Sequence, residues 1–189
     1  LNGVNLTVNR GEDLVILGRS GSGKSVIIKC LVGLLQADAG VVNVFGYAVT
    51  KLNNQDLNNV RARIGFLFQN GALYDSMSVR NNLAFTLMHH DKNVSKIDIQ
   101  NQIIEVLNNV GLIETIDLMP SELSGGMKKR IGLARTLIIK PEIILYDEPT
   151  TGLDTITSRE ISELILEIQK KYNTTSIIIT HDLSCARRT

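Results

Sequence analysis

The segment that most constrains the fold is a glycine-rich run, Gly18–Ser25. It reads Gly-Arg-Ser-Gly-Ser-Gly-Lys-Ser and matches the P-loop pattern GxxxxGK[ST] at every fixed position. An apolar run, Leu14–Leu17, precedes it, and apolar residues with helical spacing follow it, namely Ile27, Ile28, Leu31 and Leu35. A strand, a glycine loop and a helix in that order bring backbone N–H groups and the positive end of the helix to one anion. The sequence therefore predicts a phosphate-binding loop.

The last two fixed positions of the loop have distinct expected roles. Lys24 is expected to contact the β- and γ-phosphates of a nucleoside triphosphate, and the Ser25 hydroxyl to ligate Mg²⁺. The alternative is a glycine-rich turn with an incidental lysine, and the flanking apolar strand and helix make it the weaker one. The whole stretch is predicted to contact the nucleotide: Gly18, Arg19, Ser20, Gly21, Ser22, Gly23, Lys24, Ser25 and Val26.

An acidic pair marks a second part of the same site. The apolar run Ile143–Tyr146 ends in Asp147 and Glu148. A carboxylate at the end of a buried strand can hold Mg²⁺, and the next one can polarise an attacking water molecule. A strand that merely ends in solvated acids would look the same, and the P-loop is what favours the catalytic interpretation. Asp147 is therefore a predicted metal ligand and Glu148 a predicted catalytic residue.

Predicted strands alternate with predicted helices along the chain. The strands are Val4–Val8, Leu14–Leu17, Val41–Phe45, Ile64–Phe68, Ile143–Asp147 and Ser176–Thr180. The helical segments include one that starts at a capping box, Ser95–Asp98, and stops at Gly111; two others are Met127–Lys140 and Ile161–Tyr172. This alternation predicts an α/β sheet protein into which a helical middle is inserted. A length of 189 residues suits one domain.

Composition and charge exclude several classes of protein. Hydrophobic residues make up 43% of the chain and charged residues 21%, which is typical of a globular protein and not of a disordered one. The formal net charge of +1 gives no electrostatic reason to expect nucleic acid as a partner. The apolar runs are far shorter than the ~20 residues of a membrane-spanning helix, and the start of the chain does not resemble a signal peptide. Cys30 and Cys185 lack CxxC spacing, so a reduced, cytosolic protein is expected.

A short motif between the two halves of the site carries a specific resemblance. Leu-Ser-Gly-Gly-Met at 123–127 resembles the LSGGQ signature of ABC-type ATPases, with methionine in the last position. Ser124 is also a good N-cap for a helix, which alone would explain the residue, and two glycines allow a ligand close to the helix end. In that family the signature contacts the γ-phosphate of ATP bound to the other subunit. The resemblance therefore implies four ATP contacts made across a dimer: Ser124, Gly125, Gly126 and Met127.

The other motifs of the family follow in the expected order, so that the resemblance covers residues 18 to 181. Gln69 matches the Q-loop glutamine, residues 151–154 match the D-loop, and His181 matches the switch histidine. The resemblance implies a metal and nucleotide contact for Gln69 and a nucleotide contact for Asp154. It makes Glu148, His181 and Lys24 the catalytic residues, Ser25, Gln69 and Asp147 the metal ligands, and ATP and Mg²⁺ the cofactors.

Two local features resemble one subgroup, the Mla-type ATPases of Mce-linked phospholipid transport. These are the signature with the three basic residues after it, and the run 68–79, which is similar to the pattern FQxGALFDSLTV. The resemblance implies a homodimer beneath a membrane permease, peripheral to the cytoplasmic face of the inner (plasma) membrane, with an Mce-domain lipid-binding protein as a further partner and no nucleic acid. The alternatives are the ATPase of another ABC transporter, a soluble ABC ATPase of DNA repair or translation, and a nucleotide-binding module that does not hydrolyse.

The resemblance also implies the fold. We expect a P-loop NTPase of the ABC type, an α/β protein with a mostly parallel sheet, an N-terminal antiparallel β portion and an inserted helical subdomain at about 78–130. We expect one ABC ATPase domain over 1–189, truncated at both ends, because the adenine-stacking aromatic residue and the closing strands of the family are not found here. The sequence departs from the family pattern at Val26, Met127 and the pair Thr151-Gly152.

Overall fold

A computed structural model describes residues 2–69 and 71–189 of the chain. Within them the strands are β1 (Asp13–Leu17), β2 (Asn43–Val44), β3 (Tyr47–Ala48), β4 (Ile64–Leu67), β5 (Ile143–Asp147) and β6 (Thr175–Thr180). The α-helices are α1 (Lys24–Leu31), α2 (Asn54–Arg61), α3 (Val79–His90), α4 (Lys96–Asn109), α5 (Gly125–Leu137), α6 (Thr155–Tyr172) and α7 (Leu183–Arg188). Short 3₁₀ turns lie at Val49–Lys51, Ile113–Thr115 and Pro120–Glu122.

The central sheet has four strands in the order β1-β6-β5-β4, and every neighbouring pair in it is parallel. Because parallel strands share a direction, their carboxyl ends meet at one edge, where ligands bind in sheets of this kind. Strands β2 and β3 form a separate antiparallel pair. The predicted combination of a parallel sheet and an antiparallel β portion is confirmed.

Helices cover both faces of the central sheet. Successive residues of β5 alternate between two apolar clusters: Ile144 and Tyr146 belong to a cluster that includes residues of α3 to α6, and Leu145 to a cluster that includes Ile28 of α1. All four side chains are at most 1% exposed. A strand buried on both faces is expected in a parallel sheet, because the connecting helices cover both of its sides.

Local capping sets several helix ends where the sequence predicts them. The Ser95 hydroxyl accepts a hydrogen bond from the Asp98 amide at 3.1 Å, so the predicted cap of α4 is confirmed. The last residue of α4 is Asn109, and Gly111 follows with a φ of +68°, a conformation that favours glycine. Ser124 caps α5, whose Met127 amide donates to the serine hydroxyl at 3.2 Å.

Several predicted elements are wrong in extent. Residues 2–10 contain no strand, although Val4–Val8 alternates; Val4 is 54% exposed, and alternation without a paired neighbour does not form a strand. Of the strand predicted at Val41–Phe45, only two residues pair. Helix α5 starts and ends earlier than predicted because Ser124 caps it and Lys140 has a left-handed φ of +50°. Leu35 lies beyond α1 and is exposed.

Among the residues that the structure describes, no helix combines the length and the apolar character needed to span a membrane.

Candidate nucleotide site

The P-loop joins the end of β1 to the start of α1. Gly23 occupies the N-cap position of α1 with a φ of +93°, and no side chain caps this helix end. A Cβ atom on Gly18 would lie 3.1 Å from the Ser22 hydroxyl and 3.4 Å from the Lys24 side chain, so a larger residue would require these side chains to shift by a few tenths of an ångström. The uncapped N–H groups at the start of α1 are therefore available to an anion.

The Lys24 ammonium lies over the loop from which it comes. It donates to the carbonyl oxygens of Gly18 at 2.7 Å and Arg19 at 3.0 Å, and the side chain is 8% exposed. Its Nζ atom also lies 3.7 Å from Oε1 of Glu148. The lysine thus connects the P-loop to the acidic residues at the end of β5.

Two of the predicted magnesium ligands are in direct contact. Oγ of Ser25 donates to Oδ1 of Asp147 at 2.9 Å. A hydroxyl and a carboxylate suit Mg²⁺, which prefers oxygen ligands and completes its coordination with phosphate and water. Among the described residues, no group of three or more His, Cys, Asp and Glu side chains could hold a metal. The residues present therefore fit Mg²⁺.

Gln69, the third predicted metal ligand, is placed less directly. It follows β4 after one residue and is exposed, and its main-chain carbonyl accepts a hydrogen bond from the Lys129 ammonium. Among the hydrogen bonds of residues 2–69 and 71–189, none joins the Gln69 side chain to Ser25 or Asp147. Its role as a metal ligand stays a prediction.

Glu148 is held in an unusual conformation by several partners. Its φ is +52°, in the left-handed region, and its amide donates to the Ile179 carbonyl at 2.8 Å. Oε2 of the carboxylate lies 2.8 Å from Nδ1 of His181 and accepts from the Thr151 hydroxyl at 3.1 Å. Burial opposes ionisation, but the hydrogen bonds from His181 and Thr151 outweigh it and hold the pKa of Glu148 below its ordinary value. These hydrogen bonds therefore favour the ionised form of the carboxylate.

The signature residues lie at the start of α5, against the D-loop. A Cβ atom on Gly126 would lie 2.6 Å from Cγ2 of Thr157, so only glycine fits there without a shift. Asp154 caps α6: its Oδ1 accepts from the amides of Ile156 and Thr157, both at 3.0 Å. Hydrogen bonds from the Thr157 hydroxyl and amide lower the pKa of Asp154. The structure thus gives Asp154 a capping role, and its predicted contact with nucleotide stays a prediction.

A cavity of about 470 Å³ lies between the signature, the Q-loop and the D-loop. Its lining includes Gln69, Gly125, Lys129, Thr151 and Leu153. The predicted site residues therefore form two groups: the P-loop, the acidic pair and His181 are linked by direct contacts, while Gln69 and Gly125 of the signature line this cavity.

Two side chains in the site were not predicted from the sequence as site residues. Lys129 is 6% exposed and donates to the carbonyls of Gln69 and Glu148, and burial lowers the pKa of its ammonium. Thr151, which the sequence places in the D-loop without a site role of its own, donates to the Glu148 carboxylate. Helical spacing could have shown that Lys129 is buried, because it precedes the buried pair Gly132-Leu133 by three and four positions.

Comparison with known proteins gives consistent matches over nearly the whole chain. The family model described as "ABC transporter" matches residues 1–151. The chain is 42% identical over 184 residues to the "Probable ribonucleotide transport ATP-binding protein mkl" of Mycobacterium bovis, which covers 97% of this chain and 51% of that protein. It is 41% identical over 187 residues to the "Methionine import ATP-binding protein MetN" of Rhizobium etli, covering 99% of this chain and 51% of that protein. The chain thus spans about half the length of these curated relatives.

Solved structures resemble the fold closely. One is the dimeric post-hydrolysis state of the ATP-binding cassette MJ0796 bound to ADP and Pi, with a TM-score of 0.87 at 30% identity, covering 98% of this chain and 81% of that one. Another is cbiO1 from Clostridium perfringens, described as part of the ABC transporter complex cbiONQ, with a TM-score of 0.88 at 31% identity, covering 96% of this chain and 72% of that one.

Proposed function

The chain belongs to the ABC transporter family, and from this premise we propose that it is the ATP-hydrolysing part of an ABC transporter. The observation that carries the proposal is the surroundings of Glu148. Its carboxylate contacts His181 and Thr151 and lies 3.7 Å from the Lys24 ammonium. The preceding residue in the chain, Asp147, accepts a hydrogen bond from Ser25. A base, a phosphate-binding lysine and a pair of magnesium ligands at one edge of the sheet are what ATP hydrolysis requires.

In the proposed mechanism the P-loop binds and orients the triphosphate. The N–H groups at the start of α1 and the Lys24 ammonium face the phosphate oxygens, which replace the loop carbonyls that Lys24 now contacts. Ser25 and Asp147 would hold Mg²⁺, which neutralises charge on the phosphates when bound. The residues of this chain thereby fix the γ-phosphate in one position relative to Glu148.

Glu148 is proposed as the general base. Its lowered pKa keeps the carboxylate ionised, and it is placed to accept a proton from a water molecule that attacks the γ-phosphate. His181, whose ring contacts the same carboxylate and is half exposed, is proposed to orient it and to contact the γ-phosphate.

A second copy of the chain is proposed to complete each site. Among the described residues, no hydrogen bond joins the signature residues 124–127 to the P-loop, and one of the four, Gly125, lines the cavity beside the D-loop. In a head-to-tail dimer the signature and Asp154 of one copy would face the ATP of the other. The dimeric state of the MJ0796 cassette supports this arrangement.

We also propose that residues 78–130, which contain α3, α4 and the start of α5, form a helical subdomain.

A membrane permease is proposed as the next partner. The segment after Gln69 presents Leu73 and the 46%-exposed Tyr74, and the Tyr74 ring packs edge-on against Phe85 at 5.3 Å between centroids. An exposed aromatic pair, with Tyr74 in the loop before α3 and Phe85 on α3, fits a short helix from another protein. The description of cbiO1 as part of a transporter complex supports this partner, which would hold the protein at the cytoplasmic face of the plasma membrane.

For the transported substrate we propose phospholipid, with an Mce-domain protein as a further partner. The support is the resemblance of Leu-Ser-Gly-Gly-Met-Lys-Lys-Arg and of the run 68–79 to Mla-type ATPases. Methionine import or ribonucleotide transport is the second candidate, because the relatives MetN and mkl, respectively, carry those names.

Two experiments test these proposals. Phosphate release by the purified full-length protein should depend on Mg²⁺, and its rate per molecule should rise with protein concentration; a rate independent of concentration would contradict the dimer. For the substrate, the ATPase reconstituted with its permease in vesicles should hydrolyse ATP faster with phospholipid acceptor present. Stimulation by methionine or ribonucleotides instead would replace the lipid proposal.

A further inference from the structure

Lys129 lies inside the protein between the two loops that carry the catalytic machinery. The side chain is 6% exposed, and its ammonium donates to the main-chain carbonyls of Gln69 and of Glu148, the latter at 3.3 Å. These carbonyls follow the neighbouring strands β4 and β5, at the point where each chain segment leaves the sheet. An ammonium can donate three hydrogen bonds in different directions, so one side chain can bridge both segments.

The bond to the Glu148 carbonyl bears on the catalytic carboxylate. Glu148 has a left-handed φ, which a residue with a side chain adopts only when its surroundings enforce it. Its amide is held by the Ile179 carbonyl and its carboxylate by His181 and Thr151. The remaining polar group, the Glu148 carbonyl, accepts from the Lys129 ammonium and from the Thr151 amide, each at 3.3 Å. Lys129 is the one of these two donors that comes from α5, and together they fix the orientation of the peptide that follows Glu148.

The bond to Gln69 is part of a longer contact between α5 and the Q-loop. A Cβ atom on Gly132 would lie 2.9 Å from the Cα atom of Gly71, so the two backbones touch. One helical turn further along, the Arg135 guanidinium donates to the Ala72 carbonyl. Gly71 and Ala72 are therefore held against the same helix that begins with the signature residues.

We propose that Lys129 is a positioning residue for hydrolysis, which ties the Glu148 backbone and the Q-loop to the signature helix α5. Movement of α5 relative to the sheet would then change the position of the Glu148 carboxylate, because this side chain connects the two. The inference rests on the proposed role of Glu148 as the base, and it adds a residue that acts through the position of Glu148.

The first test compares K129M, K129R and an exposed control, K170M, in the full-length protein. Methionine keeps the apolar stem but donates no hydrogen bond, so kcat should fall by about 10- to 100-fold through misplacement of the base. The Kd for ATP should stay within about threefold, because the P-loop is untouched. K129R, whose guanidinium can donate to both carbonyls, should recover most of kcat, and K170M should behave as the parent.

A merely structural role predicts a different outcome. In that case K129M and K129R would lower kcat in proportion to their loss of thermal stability, or would weaken ATP binding equally, and the proposal would be overturned. Parental kcat in K129M would overturn it as well. If K129M does not fold, K129Q serves instead: its amide is one bond shorter and cannot span both carbonyls, so kcat must again fall at unchanged ATP affinity.

A double-mutant cycle separates this inference from the proposed function. If Lys129 acts through Glu148, adding K129M to E148Q should change the single-turnover rate by less than about twofold, because the base is already gone. An equal loss in both backgrounds would overturn the inference. An inactive E148Q with a fully active K129M would overturn the Lys129 role alone, whereas a fully active E148Q would remove the proposed base and the inference with it.

Discussion

Ser25 and Asp147, 122 residues apart in the chain, are joined by a hydrogen bond of 2.9 Å from the serine Oγ to the carboxylate Oδ1. Their elements are not neighbours: β6 lies between β1, which leads into the P-loop, and β5, which ends at Asp147. The contact forms because the P-loop and the end of β5 lie at the same edge of a parallel sheet. The fold of the sheet thus places both oxygens together.

Replacing Asp147 with Asn should weaken the response to Mg²⁺ in particular. The amide keeps the size of the side chain and one oxygen, but it loses the charge that attracts a divalent cation. We expect the Mg²⁺ concentration for half-maximal hydrolysis to rise about tenfold or more, measured as phosphate release during a magnesium titration. An unchanged titration would count against Asp147 as a ligand.

Replacing Lys24 with Ala should remove most ATP binding. The Lys24 ammonium is buried against the loop, where it donates to two of the loop carbonyls. A charge-assisted contact from this ammonium to phosphate is among the strong hydrogen bonds. Binding can be measured with a fluorescent ATP analogue. Lys29→Ala provides the control, because Lys29 is exposed in the last turn of the same helix. If Lys24→Ala binds ATP tightly but hydrolyses it slowly, Lys24 stabilises the transition state and is not needed for ATP binding.

Glu148→Gln should separate binding from hydrolysis. The amide keeps the shape of the side chain but cannot serve as a base, so hydrolysis should fall by about two or more orders of magnitude. ATP binding should persist, and the variant should accumulate as an ATP-bound dimer, seen as a shift in size-exclusion chromatography with ATP. Near-normal turnover with confirmed ATP binding would show that another group activates the water.

Tyr74→Ala should impair coupling to the permease more than basal hydrolysis. The ring is exposed and packs on Phe85, and the Arg135 guanidinium lies 5.9 Å from its centroid. We expect permease-stimulated phosphate release to fall while basal release is kept, measured with and without the permease in vesicles. Tyr47→Ala, at an exposed tyrosine of β3, is the control. Equal loss of both rates would favour a packing role for Tyr74.

Gly126→Ala should destabilise the fold, whereas Gly125→Ala should not. A Cβ atom at Gly126 would lie 2.6 Å from Thr157, while one at Gly125 would lie 3.6 Å from Leu153, an ordinary contact. Overpacking of this kind costs about 1–3 kcal/mol, and a helical alanine returns about 1 kcal/mol relative to glycine. Thermal unfolding of the two variants measures the difference. Equal stability of both variants would show that the Thr157 side chain can move away from the added Cβ atom without a cost in stability.

Features that depend on residues a few positions apart were predicted well from the sequence. The P-loop lies within eight residues, and the caps at Ser95 and Ser124 each accept from an amide three positions later. The strands β1, β5 and β6 were also predicted to within one residue, because each is a continuous apolar run.

Predictions from alternation alone were less reliable. Val4–Val8 alternates like a strand, yet residues 2–10 form none, since a strand exists only where a second strand supplies hydrogen-bond partners. The same limit applies to Lys129: its buried place and its two carbonyl partners depend on how α5 packs over β4 and β5.

The sequence by itself therefore determined the kind of chemistry: a phosphate loop, an acidic pair and an ordered set of motifs, each recognisable within a short stretch. The tertiary structure alone decided which of these groups meet. The strand order β1-β6-β5-β4 brings Ser25 to Asp147, and the packing of β6 beside β5 brings His181 to Glu148. The physical reason is that such contacts join residues far apart in the chain, and strand pairing and helix packing, not local conformation, set their distances.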